Sequence, residues 1–186
     1  MLVVKKDGTK AGSGTKVDFI EGTGIDITAA NLDGSETDVT ISTEATGIRY
    51  ANVVVTNAEI IALRATPKTL VAAQGAGTMI ELVSATLQLN YGGTNVFTES
   101  SDNMIINYVD ASGVAATGAI EGTGFIDATA DAFTTVLPVS VVNATTAQVV
   151  NTPLILDNTG DGEYAGNAAE DNTMSVFVAY RVHTVA

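Results

Sequence analysis

Residues 79–91 read MIELVSATLQLNY, and this stretch indicates the fold class. Apolar and polar residues alternate along it, starting at Ile80 and resuming in a new phase at Ala85. Alternation with a period of two is typical of a β-strand with one buried face, because successive side chains point to opposite sides of a sheet. The change of phase predicts a β-bulge near Val83 and Ser84.

Similar segments recur along the chain beyond residue 68. Turns rich in Gly, Asn and Asp separate them, and the pattern predicts strands at Thr69–Ala73, Asn103–Val109, Ile120–Ala128, Thr134–Asn143, Ala147–Leu156 and Met174–Val182. A count of about eight strands suits a two-sheet jelly roll. We therefore predict an all-β fold, a jelly-roll-like β-sandwich with an N-terminal arm, a hairpin and one short helix.

Composition agrees with one sizeable core and excludes several function classes. Of 186 residues, 46% are hydrophobic and none is Cys, which rules out disulfides, Cys-ligated zinc and thiol catalysis. The single histidine, His183, argues against His-rich metal sites and Ser-His-Asp hydrolysis. We therefore predict that the chain is not an enzyme and has no catalytic, cofactor-binding or metal-ligating residues, no cofactor and no small-molecule ligand.

The net charge of −13 argues against nucleic acid and against a membrane surface as partners. No apolar run reaches the roughly 18 residues that a membrane-spanning helix needs. The chain starts with a very short apolar stretch followed by lysines, which is the wrong order for a signal peptide.

Positive charge is concentrated at the start of the chain. Residues 1–16 contain four of the eight basic residues and only one carboxylate, so they carry a charge of +3 while the other 170 residues carry −16. The small, polar composition of this segment predicts a flexible basic arm over residues 1–16. Two interpretations stay open: a frayed terminus, or an arm that orders on an acidic partner.

Residues 17–50 are predicted to form a β-hairpin and a linker. Phe19, Ile25 and Ile27 alternate with polar residues, and a turn sequence at residues 32–35 precedes a second alternating segment. Two strands alone are marginally stable in water, so this hairpin must pack on a body or on another subunit. Residues 51–186 are predicted to be the β-sandwich body.

One helix signal lies within residues 51–66. Thr56 or Asn57 can cap it, and Pro67 is expected to end it. Arg64 falls within this segment. Of the four basic residues outside the arm, Arg64 is the one for which we predict a specific role at the helix or at an interface.

The loop at residues 157–163 groups three carboxylates among small residues. Hard cations take oxygen ligands from loops of this kind, but the spacing does not match the twelve-residue Ca²⁺ loop. We therefore interpret the loop as a solvated turn, with a weak cation site as the alternative.

Apolar residues occur on both faces of the predicted strands in residues 79–91 and 174–182. This pattern predicts that one face packs a core and that the other meets another subunit.

Several segments resemble β-modules of tailed-bacteriophage virion proteins. They are Phe19–Ile27, Thr37–Ile41, Ala62–Gly77 and Ile80–Tyr91, which together cover about half of the chain. These are packing and turn motifs, so the resemblance transfers no catalytic residue. It implies a virion component made in the host cytoplasm.

Two virion roles follow from the resemblance. One is a capsid decoration (cement) protein, with a flexible arm and a β-rich body that binds the outer capsid surface as a homotrimer and stabilises the head. The other is a tail-fibre or receptor-binding protein, which usually has a longer shaft. The length and the charge split favour decoration, with the major capsid protein as partner. The candidate capsid-binding residues are Lys5, Lys6, Lys10, Lys16, Phe19, Ile25 and Ile27.

A carbohydrate-binding β-sandwich module is the alternative from another class. Sugar rings stack on exposed aromatic side chains. The candidates for this role are Tyr50, Tyr91, Tyr108 and Tyr164.

Overall fold

A computed structural model describes residues 2–6, 9–14, 25–31, 37–43, 47–99, 102–139, 144–160, 162–167 and 169–185. The chain divides into two compact units, Met1–Ala45 and Thr46–Ala186. The second unit begins five residues before residue 51, where we expected the body to begin, and its first strand starts within the predicted linker.

The described residues of the first unit form two antiparallel strand pairs. Strand β1 (Leu2–Lys6) pairs with β2 (Thr9–Gly14), and β3 (Ile25–Asn31) pairs with β4 (Thr37–Thr43). Strands β3 and β4 pair as the predicted hairpin requires, while its turn and residues 17–24 lie outside the described residues.

Within residues 1–16, for which we predicted a flexible basic arm, the described residues form β1 and β2, and the flexibility of the segment stays a prediction. The β-branched pair Val3 and Val4 favours an extended backbone, and strand pairing satisfies the N–H and C=O groups that the two segments direct toward each other. Lys16 and Phe19 lie outside the described residues.

The second unit contains nine strands and two short helices among its described residues. In chain order they are β5 (Arg49–Val55), α1 (Asn57–Ile61), β6 (Lys68–Val71), β7 (Thr78–Asn90), β8 (Phe97–Thr98), β9 (Met104–Tyr108), β10 (Ala132–Val136), α2 (Thr146–Val149), β11 (Leu154–Asn158), β12 (Ala165–Gly166) and β13 (Thr173–Thr184). Neither helix in the described part of the chain has the length and apolar character of a membrane span.

The largest sheet has four antiparallel strands in the order β10-β7-β13-β5. Its two long strands, β7 and β13, pair along almost their whole length. Ala179 lies opposite Ser84 and Tyr180 lies opposite Leu82, so Val83 is an extra residue on β7. This confirms the predicted bulge, which keeps the apolar residues on both sides of it directed to the core.

A second sheet has the order β6-β11-β9, and β8 pairs with β12 in a small ribbon. Isolated bridges from Met104 to Ile120 and from Asn107 to Ala115 add residues 115–120 beside β9. Four pairs of the second unit are nested along the chain: β5 with β13, β6 with β11, β7 with β10, and β9 with residues 115–120.

The core lies between the four-stranded and three-stranded sheets. Leu87 and Val176 from the first sheet and Ile106 and Leu156 from the second are fully buried and belong to one hydrophobic cluster. Burying each such side chain contributes about 1.5–3 kcal/mol. The second unit is thus an all-β arrangement of antiparallel sheets around a shared core.

Two predicted strands are corrected. Ile120–Ala128 is not a strand, because the N–H groups of Phe125 and Ile126 both donate to Gly122 O and Gly124 has a φ of +78°. Ala147–Leu156 begins as helix α2, where the Gln148 side chain accepts a hydrogen bond from Thr145 N, and becomes a strand only at Leu154.

Helix α1 confirms the predicted helix but is shorter. Thr56 is its N-cap, and the backbone N–H of Thr56 donates to Glu59 Oε2 at 2.9 Å in a capping box. Arg64 lies in the turn after α1, so its expected place on the helix is wrong. The helix ends at Ile61, and a turn over residues 62–65 separates it from Pro67.

Candidate functional site

The surface of the four-stranded sheet that points away from the core is the main candidate site. Alternation along β13 directs Ser175, Phe177 and Ala179 to this side. The residues that pair with each of them on the neighbouring strands point to the same side, so each of the three belongs to a row that crosses the sheet. We call the following residues the outer face: Phe133, Gln88, Ser175 and Val54 in one row, Thr135, Thr86, Phe177 and Asn52 in the next, and Ser84, Ala179 and Tyr50 in the third.

The outer face carries no charged side chain, although the whole chain has a net charge of −13. Tyr50 is 79% exposed, Phe133 76%, Val54 54% and Phe177 42%. Leu137, just after β10, is 69% exposed as well. Large apolar side chains concentrated on one uncharged surface are typical of a protein–protein interface.

The outer face is not entirely flat. Tyr50, Asn52, Ser84, Thr86 and Phe177 line a shallow groove across β5, β13 and β7. The lining combines the rings of Tyr50 and Phe177 with small side chains, so the groove can receive an apolar side chain from a partner.

A charged cluster borders the outer face beyond the bulge. His183 Nε2 lies 2.7 Å from Glu81 Oε2, and Arg181 Nη1 lies 3.4 Å from the same oxygen. The hydrogen bond from His183, and to a smaller extent the charge of Arg181, holds the pKa of Glu81 below its ordinary value. The uncharged surface therefore ends at this cluster.

A second candidate site is a polar cavity of about 490 Å³ on the other side of the molecule. Its floor is formed by Ile105, Asn107 and Asp157 from β9 and β11, and Arg64 stands at its wall. Burial raises the pKa of Asp157, partly offset by a hydrogen bond from the backbone of Asn158 and by the charge of Arg64.

Arg64 is held at this cavity through its backbone. The carboxylate of Glu163 accepts hydrogen bonds from Arg64 N at 3.0 Å and from Ala65 N at 2.8 Å. The structure thus brings Arg64 together with the predicted acidic loop, which the sequence did not reveal because the two are about a hundred residues apart.

The prediction that residues 157–163 form a solvated turn is wrong for its first residues. Asp157 and Asn158 are buried, while Glu163 is exposed. Asp161 lies outside the described residues. In the described part of the chain, no three Asp, Glu, His or Cys side chains converge as a metal-binding group.

Two of the four candidate sugar-binding tyrosines belong to the core. The Tyr108 hydroxyl donates to Ile80 O at 2.7 Å, and the Tyr164 hydroxyl donates to Asp102 O at 3.2 Å. Both side chains are buried, so their proposed role on the surface is wrong. Tyr50 is exposed on the outer face, and Tyr91 is half-buried.

Of the candidate capsid-binding residues, Lys5 and Lys6 lie on β1, Lys10 on β2, and Ile25 and Ile27 on β3. These strands belong to the first unit. Their role in capsid binding stays a prediction.

Sequence reasoning missed the contribution of β5 and β10 to the outer face. The alternating residues Tyr50, Asn52 and Val54 lie in the region read as linker and helix, although their period of two was a usable signal.

In comparisons with known proteins, no family model matches the chain, and no curated protein is significantly similar to it.

Proposed function

We propose that this chain is a structural protein of a virus particle, a capsid decoration (cement) protein whose body assembles as a trimer on the outer capsid surface. The observation that carries the proposal is the uncharged, aromatic outer face of a strongly acidic protein. The resemblance of several segments to tailed-phage virion proteins supports the same conclusion.

The occupant that we propose for the outer face is a second copy of this chain. Each copy carries a net charge of −13, so copies repel one another wherever carboxylates face carboxylates. The outer face has no charge, so contact there has the smallest electrostatic cost. Depletion of charge and enrichment of aromatic side chains are also what the centres of interfaces have in common.

A trimer sets a geometric condition on this contact. In a two-fold dimer the outer face would meet itself, whereas in a three-fold ring it meets a different surface of the next copy. A measured mass of three times the 19.0 kDa chain would therefore favour a head-to-tail contact.

The finer fold class that we propose for the second unit is a jelly roll. A jelly roll winds eight strands into two sheets as two Greek keys, so the first strand pairs with the last and the second with the next to last. The pairs β5–β13, β6–β11, β7–β10 and β9 with residues 115–120 follow this order. The fold is common in viral capsid proteins and in lectins.

The first unit is the proposed anchor on the major capsid protein. Strands β1 and β2 carry three of the four lysines of the basic segment, which suits an acidic surface. Contact through a separate unit would leave the acidic body facing solvent. Many copies that each bridge neighbouring capsid subunits would stabilise the head.

Gold-labelled antibody against this protein on intact particles of the parent phage tests the proposal. We expect label spread over the head. Label confined to the tail tip would reject decoration in favour of a fibre or receptor-binding protein, and unlabelled particles would reject a virion role. Deletion of residues 2–16 should then abolish capsid binding while the second unit stays folded.

A carbohydrate-binding role is the second candidate. It is favoured by the exposed rings of Tyr50 and Phe133 on one sheet surface, because sugar rings stack on such rings. Glycan-array binding that is lost in Tyr50→Ala but kept when residues 2–16 are deleted would favour it over decoration.

A further inference from the structure

Asp102 is a buried carboxylate without a partner. Asp102 is 1% exposed, and neither of its carboxylate oxygens, Oδ1 and Oδ2, has a hydrogen-bond partner in the described part of the protein. A charge taken out of water costs several kcal/mol unless it is paired or bound to a metal ion. Buried polar groups in native proteins almost always have such a partner, so this carboxylate requires one.

Among the described residues of the second unit, no basic side chain contacts Asp102. Between Thr69 and Tyr180 the sequence has twelve Asp and Glu residues and no Lys, Arg or His. The four basic side chains of the second unit are engaged elsewhere: Arg49 with Gln74, Lys68 with Glu59, Arg181 with Glu81, and Arg64 at the cavity beside Asp157.

The Asp102 carboxylate points into the glycine-rich turn that follows β11. A Cβ added at Gly160 would lie 1.3 Å from Asp102 Oδ1, and one added at Gly162 would lie 3.9 Å from Oδ2. The turn is fixed there, because Asn103 O accepts hydrogen bonds from Thr159 N at 2.7 Å and from Thr159 Oγ1 at 3.0 Å. Glycine thus lets the backbone close over the carboxylate.

Further negative charge surrounds this position. Thr123 donates from its hydroxyl to Glu99 Oε1 at 2.8 Å and from its backbone to Glu121 Oε1 at 3.3 Å. Burial, followed by the charges of Asp102, Glu99 and Glu121, raises the pKa of Tyr164. The electrostatic potential at this end of the second unit is therefore strongly negative.

We infer that Asp102 and the described residues of this turn, 158–160 and 162, bind a hard divalent cation, with Ca²⁺ as the best match. Ca²⁺ accepts six to eight oxygen ligands from carboxylates, amide and backbone carbonyls and water in flexible loops. No three acidic side chains converge in the described residues, so we assign Asp102 as the charged ligand and backbone and amide carbonyls of the adjoining turns as the remaining ligands. A site with so few charged ligands binds with a Kd of about 10⁻⁴–10⁻³ M.

Thermal unfolding of the full chain tests this inference independently of the proposed function. After treatment with EDTA, the melting temperature is measured with CaCl2, with MgCl2 and with NaCl at matched ionic strength, because any salt screens the net charge. At ten times the Kd we expect Ca²⁺ to raise the melting temperature by roughly 3–6 °C beyond the NaCl value. An equal effect of all three salts would overturn the inference.

Asp102→Asn is the decisive variant, with Glu170→Gln as the control of equal charge change at an exposed position. Asp102→Asn should lose the rise in melting temperature that is specific to Ca²⁺, because it removes the carboxylate ligand. Glu170→Gln should keep that rise. A Ca²⁺ response retained in Asp102→Asn would overturn the inference.

Terbium luminescence gives a second test that does not depend on Asp102→Asn folding. The chain has no Trp, and the Tyr164 hydroxyl bonds to Asp102 O, so Tb³⁺ at this site should be excited mainly through Tyr164. Tyr164→Phe should lose most of the sensitised emission but keep the Ca²⁺-dependent rise in melting temperature. Full emission from Tyr164→Phe would place the ion elsewhere and overturn the inference.

Discussion

His183 Nε2 lies 2.7 Å from Glu81 Oε2 across the pair of long strands β7 and β13. This contact lowers the pKa of Glu81 in the folded state. A carboxyl with a lowered folded pKa contributes stability that is complete above its ordinary pKa of 4.5 and is lost as the pH falls through the folded value.

Glu81→Gln should therefore reduce the free energy of unfolding at neutral pH and not in strong acid. Both side chains are more than one third exposed, so we expect a loss of less than about 1 kcal/mol at pH 7. Urea unfolding of Glu81→Gln and of the unaltered protein, between pH 7 and acidic pH, measures this difference in the free energy of unfolding. The two curves should converge below pH 4.5, and a difference that persists in strong acid would contradict this origin.

Phe177→Asp should disrupt assembly without unfolding the protein. The side chain is 42% exposed at the centre of the outer face, so a carboxylate there stays solvated in the single chain but would be buried against a second copy. Val109→Asp is the matched control, because Val109 is 44% exposed and its φ of +70° suits Asp. Sedimentation should give a smaller mass for Phe177→Asp alone, and an unchanged mass would reject the outer face as the contact.

Tyr164→Ala should destabilise the protein by about 3–5 kcal/mol, because it leaves a cavity where a fully buried ring stood. Tyr50→Ala should change stability by less than about 0.5 kcal/mol, because the ring is exposed. Urea denaturation of both variants measures these two changes in the free energy of unfolding. Any loss of sugar binding in Tyr164→Ala would thus report unfolding, whereas a loss in Tyr50→Ala would report a contact.

Gly160→Ala should destabilise the protein by about 1–3 kcal/mol, because the new Cβ would overlap Asp102 Oδ1. Gly118→Ala is the control, since its Cβ would meet only Val139 Cγ1 at 3.8 Å. Melting temperatures of both variants in EDTA measure the difference. Equal stability of the two variants would mean that the turn does not close on Asp102.

The sequence was sufficient for the features that depend on local pattern. The phase change in residues 79–91 located the bulge at Val83, and the Thr56 capping signal located α1. Both features arise from residues within a few positions of one another, so a short window of sequence contains the physical cause.

Features that depend on distant pairing could not be read in this way. Val55 pairs with Met174, about 120 residues away, and this pairing places Tyr50 beside Phe177 on the outer face. Tyr164 and Asp102 lie in polar, turn-like sequence, and their burial follows only from the packing of three separate loops. Local composition carries no information on such contacts.

The position of β13 has a consequence for biosynthesis. It lies between β7 and β5, so the four-stranded sheet has no inner strand until residues 173–184 have left the ribosome. Until then the nascent chain presents two long strand edges with unsatisfied hydrogen-bonding groups, which can pair with other chains. We therefore expect the second unit to complete its folding only after β13 has been synthesised, and its yield in a cell to depend on chaperones that shield β7.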